Sequence, residues 1–334
     1  MMTDATTHAE RYFRRALAST AAIAALGVAG TAAAQGTASR AAVPADGGPM
    51  WAAVQQQLGG KGTMQPGDVL RFGFPRSDLQ VMVDGLKLAP TLALGSWIAF
   101  KPLGRGGSGL RNVMVMGDLV LTEDEVSPVM LALQHGGVEQ TALHHHVLRE
   151  SPRVMYMHIM AHGDAVKIAG AIRAALGSSR TPMPQPTGAS GAGVATMPSA
   201  ANDLDTAAIA RTIGVGGKSN GGVYQVNVPR RERITDHGTE VPPSMGVATV
   251  INFQPTGAGR AAIAGDFVMR GPEVNDVIRA LQQGGIAVTA LHSHMLTEEP
   301  RLFFMHFWAN DDAVTLARTL RSALERTNSR MTAR

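Results

Sequence analysis

Cysteine is absent from the 334 residues of this chain. Its absence excludes disulfides, thiolate metal sites, thiol catalysis and a lipid-modified N-terminal cysteine. Aromatic residues are also scarce, at 4% of the chain, while hydrophobic residues make up 45% and charged residues 17%. This composition is typical of a folded protein and predicts a core of small side chains with close backbone packing.

A strong excess of one charge is also missing. The net charge is only +4, and the basic residues form no clustered stripe. Because nucleic-acid binding needs a basic surface, no nucleic-acid partner is expected. After residue 35 no apolar run is long enough to span a bilayer, so we expect no transmembrane segment in the mature chain.

The N-terminus has the parts of an export signal. Arg11, Arg14 and Arg15 precede the small, apolar stretch ALASTAAIAALGVAGTAAA, which ends at Ala34. We therefore predict a signal peptide over residues 1–34 and a periplasmic or secreted mature protein. A membrane-anchoring helix is the alternative, and the Arg-Arg pair of FRRALAS leaves both the Sec and the twin-arginine routes open.

A repeat dominates the rest of the chain. TALHHHVLRESPRVMYMH, from Thr141, returns as TALHSHMLTEEPRLFFMH, from Thr289. Residues 117–176 align with residues 265–324 without a gap, and about half of the positions are identical. Upstream, FGFPR matches VNVPR and IAFKPLG matches INFQPTG. Such internal similarity indicates one structural unit used twice.

The two units are predicted at residues 50–176 and 205–324. Between them, residues 177–204 are rich in Gly, Pro, Ser and Thr and are predicted to be a linker. Within a unit, strand patterns alternate with helices, and Asp164 and Asp312 are predicted N-caps of the last helix. We expect an α+β fold. Each unit would be a mainly antiparallel sheet with helices on one face, ordered strand-strand-helix-strand-strand-helix as in ferredoxin-like proteins, and the two units would meet across a pseudo-two-fold axis.

Histidines recur at the same offsets in both units. Because side chains alternate along a strand, His144 and His146 are predicted to share a face, and a tight hairpin would put His158 opposite His144. Glu150 at the turn is a candidate fourth ligand or a hydrogen-bonding partner of the ligands. The second unit repeats this predicted site with its own four residues: His292, His294, His306 and Glu298.

The repeat contains an internal control for this interpretation. Three other histidines of the first unit are not kept in the second: His135, His145 and His162 are replaced by Gln283, Ser293 and Asn310. Three imidazoles with an open position are a common site for Zn²⁺, Fe²⁺ or Cu²⁺. The sequence therefore predicts a divalent transition metal bound by a three-histidine patch in each repeat, with a metal ion or a small molecule as the partner.

Other functions stay open at this point. The histidines could be structural, in a non-enzymatic binding module of the cell envelope. His158 or His306 could act as a metal-free general base. The spacing H-x-H-x-x-x-E also matches the first metal motif of cupins, so a cupin-like metal-dependent enzyme acting on a small molecule is a further alternative. Whether the protein is an enzyme is left undecided.

Acidic residues near the histidines receive simpler interpretations. Gly117-Asp118 and Gly265-Asp266 are expected to interrupt a strand at equivalent places. Each aspartate could reach the histidines, but stabilisation of a turn is the favoured role. Glu125 and Glu273 lie in the first turn of a predicted helix, where a favourable interaction with the helix dipole is sufficient explanation.

The stretch VTALHSHMLTEEPRLFFMHFWANDDAVTLARTLRSAL, with the upstream GVYQVNVPR and EVPPSMG, resembles the LppY/LpqO family. The resemblance covers both units, and the second unit is closer to the family pattern. It implies an exported bacterial protein whose domain has no assigned function. Two members that give the family its name are lipoproteins, but this chain has no cysteine to carry a lipid, so membrane anchoring is not implied here.

Overall fold

The computed structural model describes residues 45–104, 109–184 and 203–332. The predicted signal peptide at 1–34 and most of the predicted linker at 177–204 lie outside the described residues. None of the helices within the described ranges has the length and apolar character that a membrane span requires.

The described residues of the first repeat form eight strands and four α-helices. The strands are β1 (Thr63–Gln65), β2 (Val69–Pro75), β3 (Met82–Val83), β4 (Leu86–Lys87), β5 (Gly95–Pro102), β6 (Val113–Thr122), β7 (Glu139–His144) and β8 (Val154–Gly163). The helices are α1 (Ala52–Leu58), α2 (Pro90–Ala93), α3 (Glu123–His135) and α4 (Ala165–Leu176), with short 3-10 helices at Gly48–Trp51 and Gly109–Arg111.

The second repeat follows the same plan. Its strands are β9 (Gly217–Asn220), β10 (Val223–Pro229), β11 (Thr235–Asp236), β12 (Thr239–Glu240), β13 (Ala248–Gly257), β14 (Arg260–Arg270), β15 (Ala287–His292), β16 (Glu298–Glu299) and β17 (Leu302–Asp312). Its helices are α5 (Thr206–Ile213), α6 (Val274–Gln283) and α7 (Ala313–Leu324), with 3-10 helices at Pro243–Met245 and Gly271–Glu273.

Each repeat forms one six-stranded antiparallel sheet. The strand order is β1-β2-β5-β6-β8-β7 in the first sheet and β9-β10-β13-β14-β17-β15 in the second. The predicted α+β fold with two equivalent, antiparallel units is confirmed at this level. Within the described residues neither sheet closes on itself, so the barrel that a cupin would require does not form.

The strand β6 shows why the sheets pack on both sides. Its residues alternate between two apolar surfaces. Val115 and Leu119 pack with the helices of their own repeat, for example against Ile172 of α4. On the opposite face, Met116 belongs to an apolar cluster that includes Phe304 of the second repeat. The longer helices therefore cover one face of each sheet, and the remaining faces of the two sheets pack against each other, with the short α2 between them.

The helix starts follow the sequence closely. Asp164 caps α4 by accepting hydrogen bonds from Val166 N and Lys167 N, and Asp312 caps α7 by accepting from Thr315 N. Both predicted N-caps are confirmed. These caps set the point at which the chain leaves the long strands β8 and β17 and turns back across the sheet.

The helix-dipole interpretation of Glu125 and Glu273 is incomplete. Glu125 is buried and accepts a hydrogen bond of 2.7 Å from Nη1 of Arg76, a side chain without exposed surface. Glu273 receives the same contact at 2.7 Å from Arg230. Sequence reasoning missed both pairs because each arginine lies far along the chain from its glutamate, although both arginines end the recurring FGFPR and VNVPR motifs.

We expect Glu125→Ala to lower the free energy of unfolding by about 3 kcal/mol, because it leaves the buried Arg76 charge with less compensation. Urea or thermal unfolding measures the change. Glu123→Ala is the matched control, since Glu123 shares the first turn of α3 but its side chain is 66% exposed. That variant should lose only about 0.5 kcal/mol of dipole interaction. Equal losses in the two variants would mean that the ion pair contributes nothing beyond the dipole.

Candidate functional site

Six histidines meet in the layer between the two sheets. His144 ends β7, His158 lies in β8, and His146 follows two residues after the end of β7. In the second repeat the equivalent positions belong to His292, His294 and His306. Four of these side chains are almost completely buried: His144, His158, His294 and His306.

The predicted register of the hairpin formed by β7 and β8 is wrong, although His144 and His158 do share one face of the sheet. On β8, Ala142 rather than His144 lies opposite His158, and His144 lies opposite Tyr156. The strands are joined by a loop over residues 145–153 instead of the predicted tight turn, and this loop shifts the pairing by two residues. Because side chains repeat every second residue along a strand, the shift keeps His144 and His158 on the same face of the sheet.

The closest contacts between two histidine rings join the two repeats. Ring centroids are 3.9 Å apart for His144 and His292 and 3.8 Å apart for His146 and His306. The equivalent pair, His158 and His294, is also 3.8 Å apart. One cluster shared by both repeats therefore replaces the predicted pair of separate patches.

Ligand atoms lie close enough in this cluster to hold metal ions. In three groups all of the ligand atoms are within 4.8 Å of one another. The groups are His144/His146/His306, His144/His158/His292 and Asp266/His292/His294. The first two groups combine residues of both repeats. Glu150 and Glu298 belong to none of the groups found in the described part of the chain. Glu298 instead accepts hydrogen bonds from Leu302 N and the guanidinium of Arg301.

Reciprocal hydrogen bonds hold the histidine loops across the interface. The hydroxyl of Thr141 donates to the carbonyl of His294 at 2.6 Å, and the hydroxyl of Thr289 donates to the carbonyl of His146 at 2.6 Å. Both threonines are the first residues of the recurring TALH motif. The first repeat therefore positions His294 of the second, and the second repeat positions His146 of the first.

Asp118 and Asp266 point into the cluster, and the expectation that they stabilise turns is wrong. They lie inside β6 and β14, whose pairing with the neighbouring long strands continues through both positions without a bulge. Asp118 is opposite His158 in the sheet, and its Oδ2 is 3.4 Å from Nε2 of His146. Asp266 is opposite His306, and its Oδ2 is 2.9 Å from Nε2 of His294.

The preceding glycines allow this arrangement. A Cβ at Gly117 would lie 2.8 Å from the carbonyl oxygen of Trp97, and a Cβ at Gly265 would collide with the carbonyl oxygen of Val250. Only glycine permits so close an approach of neighbouring strands. The carbonyls of Gly117 and Gly265 themselves orient His158 and His306.

Backbone carbonyls determine which nitrogen of three rings carries the proton. Nδ1 of His158 donates to the carbonyl of Gly117 at 3.3 Å, and Nδ1 of His306 donates to that of Gly265 at 2.8 Å. Nδ1 of His294 donates to the carbonyl of Gly246 at 2.9 Å. A carbonyl can only accept, so in the neutral rings Nε2 holds the lone pair. Carbonyl contacts of this kind commonly orient metal-binding histidines.

Polar atoms without hydrogen bonds are concentrated here. Among the described residues, most buried side-chain nitrogens and oxygens without a hydrogen-bond partner belong to this cluster: Asp118 Oδ1, His144 Nδ1, His146 Nε2, His158 Nε2, Asp266 Oδ1, His292 Nδ1 and Nε2, and His294 Nε2. Nε2 of His146 and of His294 approach carboxylates, but without hydrogen-bond alignment. Buried polar atoms are rarely left unpaired, so this concentration indicates a missing partner.

Burial also controls the charge of the cluster. It lowers the pKa of five imidazoles, and neighbouring imidazoles lower most of these values further: His144, His146, His158, His292 and His306. Burial raises the pKa of Asp118 well above its usual range, and the charge of Asp266 raises it further. These five rings are therefore neutral near pH 7 and offer lone pairs, which is the form that binds metals.

Two aromatic rings that sequence reasoning left out complete the site. Tyr156 stacks on His146 with centroids 3.4 Å apart, and Phe304 stacks on His294 at 3.5 Å. They occupy equivalent positions in the two repeats. The signal that could have found them, and both aspartates, is recurrence on strands flanking the histidines.

Comparison with known proteins identifies a family but no activity. A family model described as Domain of Unknown Function (DUF1259) matches residues 52–178 and again residues 207–326. No curated protein matches the sequence. One solved structure that matches this chain is the trimeric bacterial microcompartment shell protein PduB. The two share 14% sequence identity with a TM-score of 0.17, and the match covers 77% of this chain and 86% of that one.

A second solved structure is EtuB from Clostridium kluyveri, at 9% identity and a TM-score of 0.18, covering 78% of this chain and 89% of that one. TM-scores this low do not establish a common fold. The family match, in contrast, covers most of the chain and finds the domain twice, as the repeat predicted.

The lowered histidine pKa values predict how stability depends on pH. Since the pKa of His144 is lower in the folded chain than the value of about 6.5 in an unfolded one, the unfolded state binds more protons. Without metal, in EDTA, stability is therefore present above pH 6.5 and is lost as the pH falls below it. His144→Gln should reduce this slope by up to about 1.4 kcal/mol per pH unit in urea unfolding.

His135→Gln is the control for this measurement, because His135 is exposed on α3 and lies outside the cluster. The slope of that variant should equal the wild-type slope. A His144→Gln variant with an unchanged slope between pH 7.5 and 5.5 would show that the ring is not kept neutral by burial.

Proposed function

We propose that this chain, which belongs to the Domain of Unknown Function (DUF1259) family, binds a divalent transition metal in the histidine cluster between its repeats. One observation carries the proposal. Nε2 of His158 is buried without a hydrogen-bond partner, while a carbonyl holds the proton on Nδ1 of the same ring. A lone pair fixed in this way is suited to a metal ion.

The donor set favours particular metals. Neutral imidazoles with a carboxylate suit Zn²⁺, Fe²⁺ and Cu²⁺, whereas Mg²⁺ and Ca²⁺ prefer oxygen ligands. Cys-rich sites are excluded because the chain has no cysteine. Groups of three protein ligands leave a coordination position open, which would serve hydrolysis or oxidation of a small molecule, or metal sequestration.

The histidines of the cluster differ in exposure. His146 and His292 are half-buried, in contrast to the enclosed His158 and His306. A small molecule would therefore reach the metal past His146 and His292. A role as a non-enzymatic module of the cell envelope with purely structural histidines would leave the unpaired nitrogens without an explanation.

Three finer points belong to the same proposal. The likeness of residues 288–324 to the LppY/LpqO family supports export, as does the arginine-led apolar segment at 1–34. The order β5-β6-β8-β7, with a helix after β6 and another after β8, supports a ferredoxin-like arrangement of each unit. The reciprocal threonine contacts support a pseudo-two-fold axis between the units.

Elemental analysis of the purified full chain tests the proposal. We expect bound metal, or a raised melting temperature with Zn²⁺, Cu²⁺, Fe²⁺ or Mn²⁺, because a ligand of the folded state stabilises it. His292→Ala combined with His294→Ala should abolish both effects. The matched control is His135→Gln combined with His162→Asn, which installs the residues that the second repeat carries at those positions.

The control variant should bind metal as the wild type does. A wild-type chain that contains no metal and shows no thermal shift with any of the four ions would refute metal binding. Equal loss of metal in both double variants would also refute it, because binding would then not depend on the cluster.

A further inference from the structure

We infer that the cluster binds one metal ion through His144, His158 and His292, and that His306 orients His144 instead of binding the ion. The ligand atoms are Nδ1 of His144, Nε2 of His158 and one ring nitrogen of His292. This inference rests on the proposed metal-binding function and specifies which atoms hold the ion and how many ions the chain takes.

A chain of hydrogen bonds selects Nδ1 of His144. Nδ1 of His306 donates to the carbonyl of Gly265 at 2.8 Å, so Nε2 of this neutral ring holds the lone pair. Nε2 of His144 lies 3.1 Å from Nε2 of His306 and donates its proton to that lone pair. Because a neutral imidazole has only one ring proton, the lone pair of His144 is on Nδ1.

Three histidines then offer buried nitrogens that nothing else uses. Nδ1 of His144, Nε2 of His158 and both ring nitrogens of His292 have no hydrogen-bond partner among the residues that the structure describes. The same three rings form a group whose ligand atoms all lie within 4.8 Å of one another. Buried polar atoms are rarely left unpaired, so one ion bound by this group supplies the partner that all three rings lack.

The group His144/His146/His306 accounts for fewer of these atoms. Binding through Nε2 of His144 and Nε2 of His306 would place the proton of His144 on its buried Nδ1, which has no acceptor. Nε2 of His158 would also stay unpaired. A buried donor without an acceptor is unfavourable, so binding through His158 is favoured.

The group Asp266/His292/His294 belongs to the second repeat alone. Oδ2 of Asp266 lies 2.9 Å from Nε2 of His294, so these two atoms already have a polar neighbour, and the group leaves out His158. Both of the less favoured groups share a histidine with the favoured one, His144 in one case and His292 in the other. The ion therefore uses a ligand that each alternative needs, and the chain takes one ion.

His158 and His306 occupy equivalent positions but have different roles. Both rings donate from Nδ1 to the carbonyl of a glycine, Gly117 or Gly265. Nε2 of His306 then accepts from His144, whereas Nε2 of His158 has no such partner in the described part of the chain. His158 is therefore a ligand, and His306 is a positioning residue. Hydrogen-bond partners of this kind fix the orientation of a ligand ring and raise the affinity for metal.

Calorimetric titration of the full chain with Zn²⁺ tests the number of ions and the ligand set. We expect one Zn²⁺ per chain, and X-ray absorption of the loaded protein should show three imidazole ligands. His158→Gln should abolish binding, because glutamine lacks the imidazole lone pair. His146→Gln and His294→Gln are the matched controls, since each removes a ring of the cluster that is not a ligand, and both should bind Zn²⁺ as the wild type does. The loss of metal expected for the His292/His294 double variant then follows from His292 alone.

Two variants of His306 test its positioning role. His306→Gln keeps an acceptor, the amide oxygen, for the proton of His144 and should bind Zn²⁺ nearly as the wild type does. His306→Leu has no acceptor and should lower the affinity about 10- to 100-fold while three imidazoles remain bound. If His306 were a ligand, both variants would lose one imidazole and a similar share of the affinity.

Circular dichroism confirms the fold of each variant, and the measurements on the wild type stay decisive where a variant does not fold. Two ions per chain, an imidazole count other than three in the wild type, unchanged binding by folded His158→Gln, or loss of binding in folded His146→Gln would overturn the inference but leave metal binding intact. Equal affinities of folded His306→Gln and His306→Leu would overturn the positioning role. A wild-type chain that binds neither Zn²⁺ nor another tested ion would overturn the proposed function as well.

Discussion

Desolvation of polar groups between the two sheets is the constraint on which the site depends. Two aspartates and six histidines lie in a layer that otherwise contains apolar side chains such as Met116 and Phe304. Charge on any one of these groups is costly there, so the imidazoles with lowered pKa values and the Asp118 carboxyl, whose pKa is raised by burial, favour their neutral forms. The unpaired nitrogens and oxygens of the cluster are the direct consequence of this burial.

The repeat makes such a layer possible. Each sheet covers one face with its own helices and leaves the other face to the second sheet, so the site is enclosed by two copies of one design. The Thr141 and Thr289 hydroxyls tie each histidine loop to the opposite repeat. Gly117 and Gly265 let the strands approach, and their carbonyls orient His158 and His306. One repeat alone would expose this face and lose half of the ligands.

The two repeats also differ at equivalent positions around the site. Tyr156 stacks where the second repeat has Phe304, and Arg71 lies where the second repeat has Gln225. Single substitutions of this kind change the charge and polarity around each half while the shared backbone plan stays the same.

Much of the fold was predictable because its signals are local. The caps Asp164 and Asp312 precede apolar residues at helical spacing, and the face shared by His144 and His158 follows from the alternation of side chains along strands. The exact pairing was not predictable, since the connection between β7 and β8 is a loop over residues 145–153 where a tight turn was expected. Asp118 and Asp266 were undervalued because Gly-Asp is a common turn signal, and here close strand packing explains the glycine instead.

The sequence by itself determined that one unit occurs twice, that its elements alternate as strands and helices, and that three histidines recur in each copy. Only the tertiary structure decided that the copies share one site. Local periodicity specifies which face of a sheet a residue occupies, but not what covers that face. Ligand groups assembled from residues such as His146 and His306, distant in sequence, exist only after the two sheets have packed together.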